Sequence, residues 1–244
     1  MQITKTTLAA ALLPLALLGG CTSTVTASQS APASAQAASS SAAAGADTEV
    51  LAQSAQAVAA AKTYVTEMTT QLAGQTYKST MYTDATDPAK RKMRLVTGAG
   101  GQQLEVVTIG ADTYMKMGAG DTWLKASAAQ SEQAGAVDPG ALLAQSRQYV
   151  KNFTLAGDET VDGVATKHYT MVLDGAAMSK LGGGKSAVGD IPYEIWLDDQ
   201  LRPRQFVLKY SSSAGDISTK GTMSKYGEPV DIQAPDPSKV KSMG

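Results

Sequence analysis

The sequence predicts an α+β domain built on a strongly curved antiparallel β-sheet, a half-barrel, with helices packed on its concave side. Three features of the 244 residues lead there. From about residue 75 to residue 226, apolar residues recur mostly at every second position, the period of a strand. In the later strands the large apolar side chains fall on one face and the polar ones on the other, as in a half-buried antiparallel sheet. About ten strands result, more than a flat sheet carries comfortably, so the sheet should curl. Two helical stretches are too few to cover both faces, which puts them on the concave one.

The first helix is expected over residues 48–71. Leu51, Ala55, Val58, Val65, Met68 and Leu72 follow spacings of threes, fours and sevens, Thr48 stands where an N-cap would, and Gly74 where a helix would stop. Strands follow over 75–84, 91–97, 104–109, 113–117 and 122–125, joined by turns at Asp87-Pro88, 98–101, 110–112 and 118–121. Residues 126–137 are rich in Ala, Ser and Gln and read as a mobile break. Asp138-Pro139 starts a second helix reaching about Val150, with proline in the tolerated first turn. Strands resume over 151–157, 159–161 and, across Asp162-Gly163, 164–173. After a short helical or loop excursion over 174–189 come 193–198, 204–211 and 216–226.

The amino-terminal part reads differently. Lys5 is followed by an apolar run over 8–18, then Leu18-Gly19-Gly20-Cys21. A positive start, a short apolar run and small residues make a signal peptide, residues 1–20, too short to span a membrane. The chain has one cysteine, and it stands where a bacterial lipobox needs it. Cys21 is therefore the expected lipidation site, because a thiol is the nucleophile that takes up a diacylglycerol. Two or more acyl chains, at about 0.8 kcal/mol per buried CH₂, make a lasting anchor. Residues 22–47 are nearly all Ser, Ala, Thr and Gln, too poor in apolar surface to offset ordering entropy. They read as a tether of ~28 Å average span, leaving residues 48–244 as the folded domain, held on the extracytoplasmic face of the cell membrane.

Composition narrows the function. A formal net charge of −1 gives no concentrated basic surface for nucleic acid. His168 is the only histidine and sits opposite the apolar face, where an exposed or rim position is the ordinary expectation. No metal-ligand cluster, nucleophile elbow or phosphate loop occurs, so neither an enzyme nor a cofactor is expected. Asp198 and Asp199 read as turn formers. Lys90-Arg91-Lys92 with Arg94 reads as a solvated strand face that could also touch anionic headgroups.

Val161-Asp-Gly-Val-Ala-Thr-Lys-His-Tyr-Thr170, Tyr193-Glu-Ile-Trp-Leu-Asp-Asp199 with Leu201-Arg-Pro-Arg204, and Tyr226-Gly-Glu-Pro-Val-Asp-Ile-Gln-Ala-Pro235 resemble the actinobacterial LppX/LprG-type lipoproteins. Thr113-Tyr-Met-Lys-Met117 with Thr122-Trp-Leu-Lys125 fits as well. The resemblance implies a fold related to the periplasmic lipoprotein carriers of the LolA/LolB type. It also implies an apolar cavity between sheet and helices that holds the acyl chains of a lipid or glycolipid, and a part in moving lipid across the envelope. It implies no catalytic residue.

The candidate cavity wall comprises Val58, Val65 and Met68 on the helix, Met81, Met93 and Met115 on the early strands, and Tyr169, Met171, Leu173, Ile195, Leu197, Phe206 and Leu208 on the later ones. Methionine adapts to varied apolar shapes; a dry, filled core is the competing reading for each residue. Residues 126–137 and 182–189 are candidate gate loops or plain surface loops. The alternative function is an interaction module with a filled core, docking a membrane transporter or sensing envelope state.

Overall fold

The structure is a computed structural model that describes residues 48–127, 147–176, 189–212 and 215–242. All belong to one of the two compact units into which the chain divides, residues 39–244.

Among these residues one helix is longer than a single turn, α1 (Glu49–Ala61). Its alanines favour helix, and Leu51, Ser54 and Val58 form the buried stripe at helical spacing. The helix stops at Lys62, whose φ of 63° leaves the helical region. The helix expected over 48–71 is therefore half a helix and half a strand. Thr63, Val65, Thr66, Thr69 and Thr70 are β-branched and Tyr64 is aromatic, which favours a pleated strand over the crowded side of a helix. Threes-and-fours spacing continued by chance into this strand.

The remainder is an open, curved sheet of twelve strands. They are β1 (Thr63–Leu72), β2 (Gln75–Asp84), β3 (Lys92–Ala99), β4 (Gln102–Ile109), β5 (Asp112–Met117), β6 (Trp123–Lys125), β7 (Val150–Val161), β8 (Val164–Leu173), β9 (Ile191–Leu197), β10 (Pro203–Ser212), β11 (Gly215–Ser224) and β12 (Val240–Ser242). The spatial order is β12-β6-β5-β4-β3-β2-β1-β11-β10-β9-β8-β7. Every pairing is antiparallel except β12 on β6, which is parallel. The two strands expected over 151–157 and 159–161 are one strand, β7, with a register irregularity between Leu155 and Gly157. The second helix, expected from Asp138, lies outside the described residues up to 146. Its last residues, Arg147–Tyr149, form a 3₁₀ turn and Val150 opens β7.

Because neighbours run antiparallel, all hairpin tips fall at two ends. The upper end holds the turns after β1, β3 and β5; the lower end holds those after β2, β4, β7 and β9. The helix enters at the upper end, where Glu49 pairs with Arg147 at 3.0 Å, just ahead of β7. It leaves at the lower end, where Lys62 leads into β1. Between β11 and β12 the chain must pass the six strands β1 to β6. Ile232 on that path is buried, as are Val65 and Val107 on the outer face.

Candidate functional site

Registered residues of adjacent strands share a face. On the inner face one row runs Thr66, Met81, Leu95, Val106, Met115 and Leu124 across six strands. The row above it runs Met68, Ser79, Thr97, Leu104 and Met117. The row below runs Tyr64, Thr83, Met93, Thr108 and Thr113. These rows make a wall of methionine, leucine, valine and threonine, with aromatic side chains only at Tyr64 in β1 and, nearer the upper end, Tyr77 in β2.

The same face looks different from β11 to β7. There α1 lies on it: Leu51 packs with Phe153, Tyr169, Met171, Leu173, Ile191, Ile195 and Leu197. Val58 packs with Tyr64, Phe206 and Met223. The rings interlock, Phe153 stacked on Tyr169 at 5.1 Å between centroids and Tyr193 on Phe206 at 6.3 Å. Burial at this level contributes about 1.5–3 kcal/mol for each large side chain. Neither cluster includes Leu95, Val106, Met115 or Leu124, which are half-buried.

The expected wall residues therefore divide. Tyr169, Met171, Leu173, Ile195 and Leu197 are core under Leu51, and Phe206 and Val58 are core lower down. Leu208 and Met68 are half-buried beside the clusters. Met81, Met93 and Met115 stand on the part of the wall outside both clusters. Val65 needs correction: it lies on β1, paired with Tyr82 and Ser224, and its alternation puts it on the outer face, away from this wall. Leu95, Val106 and Leu124 were missed, although their strands were anticipated; only the register, which no single strand reveals, aligns them with Met81 and Met115. The candidate gate loops lie outside the described residues except for Ala126, which is buried, and Ser127 and Gly189, which are exposed.

Polar groups are buried along the seam between helix and wall. Ser54, Thr66 and Thr83 are 0% exposed and their hydroxyls have no hydrogen-bond partner. An unsatisfied buried hydroxyl is costly, and each can serve a water or a polar group of a ligand.

The outer face carries ionic networks. His168 is buried rather than exposed: Nδ1 lies 2.9 Å from Glu159 Oε1 and Nε2 3.1 Å from Glu194 Oε2. Its ring stacks on Trp196 at 4.1 Å, and the indole N–H donates to Glu159 at 2.8 Å. That indole hydrogen bond is the main reason the Glu159 carboxyl is held below the usual range. Both ring nitrogens of His168, both carboxylate oxygens of Glu159 and the Trp196 indole N–H are thereby engaged in structural hydrogen bonds. Burial would raise the Glu105 pKa, but hydrogen bonds from Lys116 and Arg94, at 2.8 and 2.7 Å, more than offset it and hold the carboxyl low. Of the expected basic cluster, Lys92 reaches Asp84 and Arg91 donates to the Tyr64 hydroxyl at 3.3 Å. Asp198 does form its turn, accepting from the backbone of Gln200 and Arg202 and from the Arg202 side chain.

A cleft of about 540 Å³ opens at the upper end, lined among others by Gln71, Leu72, Lys209, Tyr210, Ile217 and Ser218. No described helix is long and apolar enough to cross a membrane.

Comparison with solved structures agrees with this architecture. The lipoprotein LppX of Mycobacterium tuberculosis superposes with a TM-score of 0.56 at 18% identity, over 78% of this chain and 99% of that one. LprF from Mycobacterium bovis gives 0.52 at 17% identity, over 78% and 97%. These likenesses establish a shared fold. No curated protein sequence matches the chain. The model of the LppX_LprAFG lipoproteins matches residues 46–232, well over half of the 244 residues, and the chain accordingly belongs to the LppX_LprAFG lipoprotein family.

Proposed function

We propose that this is a membrane-anchored, non-enzymatic binder of lipids or glycolipids that takes acyl chains against the inner wall of β2 to β6. The observation that carries the reading is the row Met81, Leu95, Val106, Met115 and Leu124. It is a continuous apolar strip about five strands wide, or roughly 19 Å between its outer members at the usual strand spacing, and α1's core clusters leave most of it unused. Desolvation of each CH₂ laid on it supplies affinity without shape specificity. Flexible methionines suit chains of different kinds.

In this reading residues 1–20 direct export, Cys21 carries the acyl anchor, residues 22–47 are the tether and residues 48–244 the binding domain on the extracytoplasmic side. Helices over the concave face would close the site, and transfer of the bound lipid across the envelope would be its purpose. Family membership and the shared fold support this reading.

The test is native mass spectrometry of the full chain carrying Cys21→Ser, which cannot be lipidated, after incubation with a total lipid extract. Adducts matching extractable lipids, reduced by Met115→Asp, are the expected result. A clean apo mass would sink the reading and favour a module that docks another envelope protein.

A further inference from the structure

The two ends of the sheet differ in chemistry. At the upper end of the β1–β6 half the hairpin tips at residues 71–77 and 97–104 contain no charged residue, and the third turn, 118–122, holds one, Asp121, paired with Lys239 at 3.2 Å. The first two are Gln-Leu-Ala-Gly-Gln-Thr-Tyr and Thr-Gly-Ala-Gly-Gly-Gln-Gln-Leu; the third opens as Met-Gly-Ala-Gly before Asp121. Met117 is 73% exposed, the most exposed large apolar side chain described. At the lower end the same half carries Asp84, Asp87, Lys90, Arg91, Lys92 and Asp112.

Turn geometry does not account for this. Ala73-Gly74 has φ values of 50° and 77°, and Asp162-Gly163 at the lower end has 50° and 79°. These are the same turn, whose first position favours Asn, Asp or Gly. The lower turn uses the favoured aspartate; the upper one holds an alanine in a left-handed conformation that costs a residue with a Cβ and no polar group. Local strain that keeps a tip uncharged points to a function for the tip.

Two further observations share this end. Lys78, Lys209 and Lys220 are exposed on the outer face toward the upper end, with Thr69 registered against both Lys78 and Lys220 and Lys209 against Ser218. None of the three has a carboxylate partner among the described residues, unlike Lys92, Lys116, Lys125, Lys151 and Lys167. The chain also enters the domain here, at Glu49 beside Arg147. A tether from Cys21 therefore joins at the end that bears the uncharged tips.

From these observations we infer that the upper end of β1 to β5 seats directly on an anionic bilayer surface, the tips at Leu72–Gly74, Gly100–Gly101 and Met117–Gly118 entering the headgroup layer and Lys78, Lys209 and Lys220 meeting lipid phosphates. Apolar tips with a basic collar are the interfacial pattern, each part too weak alone and sufficient together. The anchor then confines the domain and the rim orients it, with the cleft beside Leu72 and Lys209 facing the lipid. The inference rests on the membrane-anchored reading above, and its experiment separates the two.

The full chain carrying Cys21→Ser has no acyl anchor to confer binding. It is mixed at low salt with phosphatidylcholine vesicles containing about 30% phosphatidylglycerol or none. Sedimentation with the anionic vesicles is expected. The triple change Lys78→Gln, Lys209→Gln, Lys220→Gln should weaken binding by roughly tenfold or more. Met117→Asp and Ala73→Asp should each weaken it several-fold, while Ala111→Asp at the lower end leaves it unchanged; thermal midpoints no lower than that of the parent chain verify that these exposed positions leave the fold intact. The chain has two tryptophans, Trp123 just below the upper rim and Trp196 in the Glu159 network on the outer face. Brominated acyl chains should quench the Trp196→Phe form and not the Trp123→Phe form, a readout that needs no rim variant. Absence of vesicle binding, binding indifferent to the rim variants, or quenching that follows Trp196 overturns the inference. Lipid adducts on the same chain report the binding reading separately, and the mass of the processed wild-type chain reports the anchor at Cys21.

Discussion

One sheet carries two unlike halves on a single face. From β7 to β11 the inner positions are mostly Phe, Tyr, Ile, Leu and Met, and those nearest α1 are locked under it, with Leu51 and Leu197 at 0% exposure. From β2 to β6 they are Met, Leu, Val and Thr, mostly half-buried. The hydrophobic period is the same in both, so the period alone says only that a face is apolar. Ring-on-ring contacts and a helix seated between them mark the half that is core; flexible and small side chains in unbroken rows mark the half that can receive something else.

The sharpest way to test that contrast is to delete equal methylenes from both halves. Leu51→Ala removes a side chain surrounded by seven buried neighbours and should cost about 3 kcal/mol, the usual range for a leucine cavity. Leu95→Ala, on the half-buried strip, should cost about 1 kcal/mol because much of its surface already lies outside a packed core. Guanidinium unfolding midpoints read both. Equal losses would mean that the strip is ordinary core.

Next in size is Gly221→Ala. A Cβ there would stand 2.2 Å from Phe206 Cζ and 2.5 Å from Cε1, so the ring must move. Phe206 covers the gap that glycine leaves in β11, and it is also the neighbour of Val58 and Tyr193. Overpacking of this kind costs about 1–3 kcal/mol, and adding Phe206→Leu should return part of it. A loss unaffected by Phe206→Leu would place the strain elsewhere.

A smaller effect belongs to the outer face of the β2–β6 half. Glu105 has a depressed pKa, so its ion pairs stabilise the fold above the unfolded glutamate value of about 4.3. That contribution is lost as pH falls through the folded value. Glu105→Gln should cost about 1 kcal/mol at pH 7, allowing for the solvent exposure of Arg94, and the gap to wild type should close on acidification. A gap constant with pH would remove the charge from the explanation.

The strands and their alternation were legible in the sequence because antiparallel period-two patterns and Gly- or Asp-containing turns are local signals. That Met81, Met93 and Met115 each lie on the apolar face of their strands was legible for the same reason. Val65 could not be placed, because Leu51 to Leu72 satisfies a helical spacing while its threonines favour a strand, and only Lys62, with its positive φ, divides the two. The role of Leu95, Val106 and Leu124 depends on register across five hairpins, a long-range property. So does the split between core and strip: β9 and β5 both place apolar side chains on the inner face, and only the seating of α1 on one of them makes it core. His168 was expected at the surface and is held by Glu159, Glu194 and Trp196, which join it from neighbouring strands and are unrecognisable as a group in one dimension.

The smallest expected change has the opposite sign. Ala73 has a φ of 50°, and glycine would adopt that conformation without a Cβ penalty. Its tip is open, with nothing within 4 Å of a Cβ added at Gly74, so packing gives the alanine no compensation there. Ala73→Gly should therefore stabilise the fold by about 0.5 kcal/mol, the relief of left-handed strain exceeding the added freedom of the unfolded chain. Ala73→Asn should do as well, since asparagine tolerates the same conformation and caps its own turn. The matched change at the lower end, Asp162→Ala, should destabilise by a similar amount. If both Ala73 variants gain stability while Ala73→Asn loses affinity for anionic vesicles, then the upper turn trades stability for an apolar side chain at its tip. If neither gains, alanine at residue 73 is simply tolerated, and the strain argument for a functional rim fails along with it.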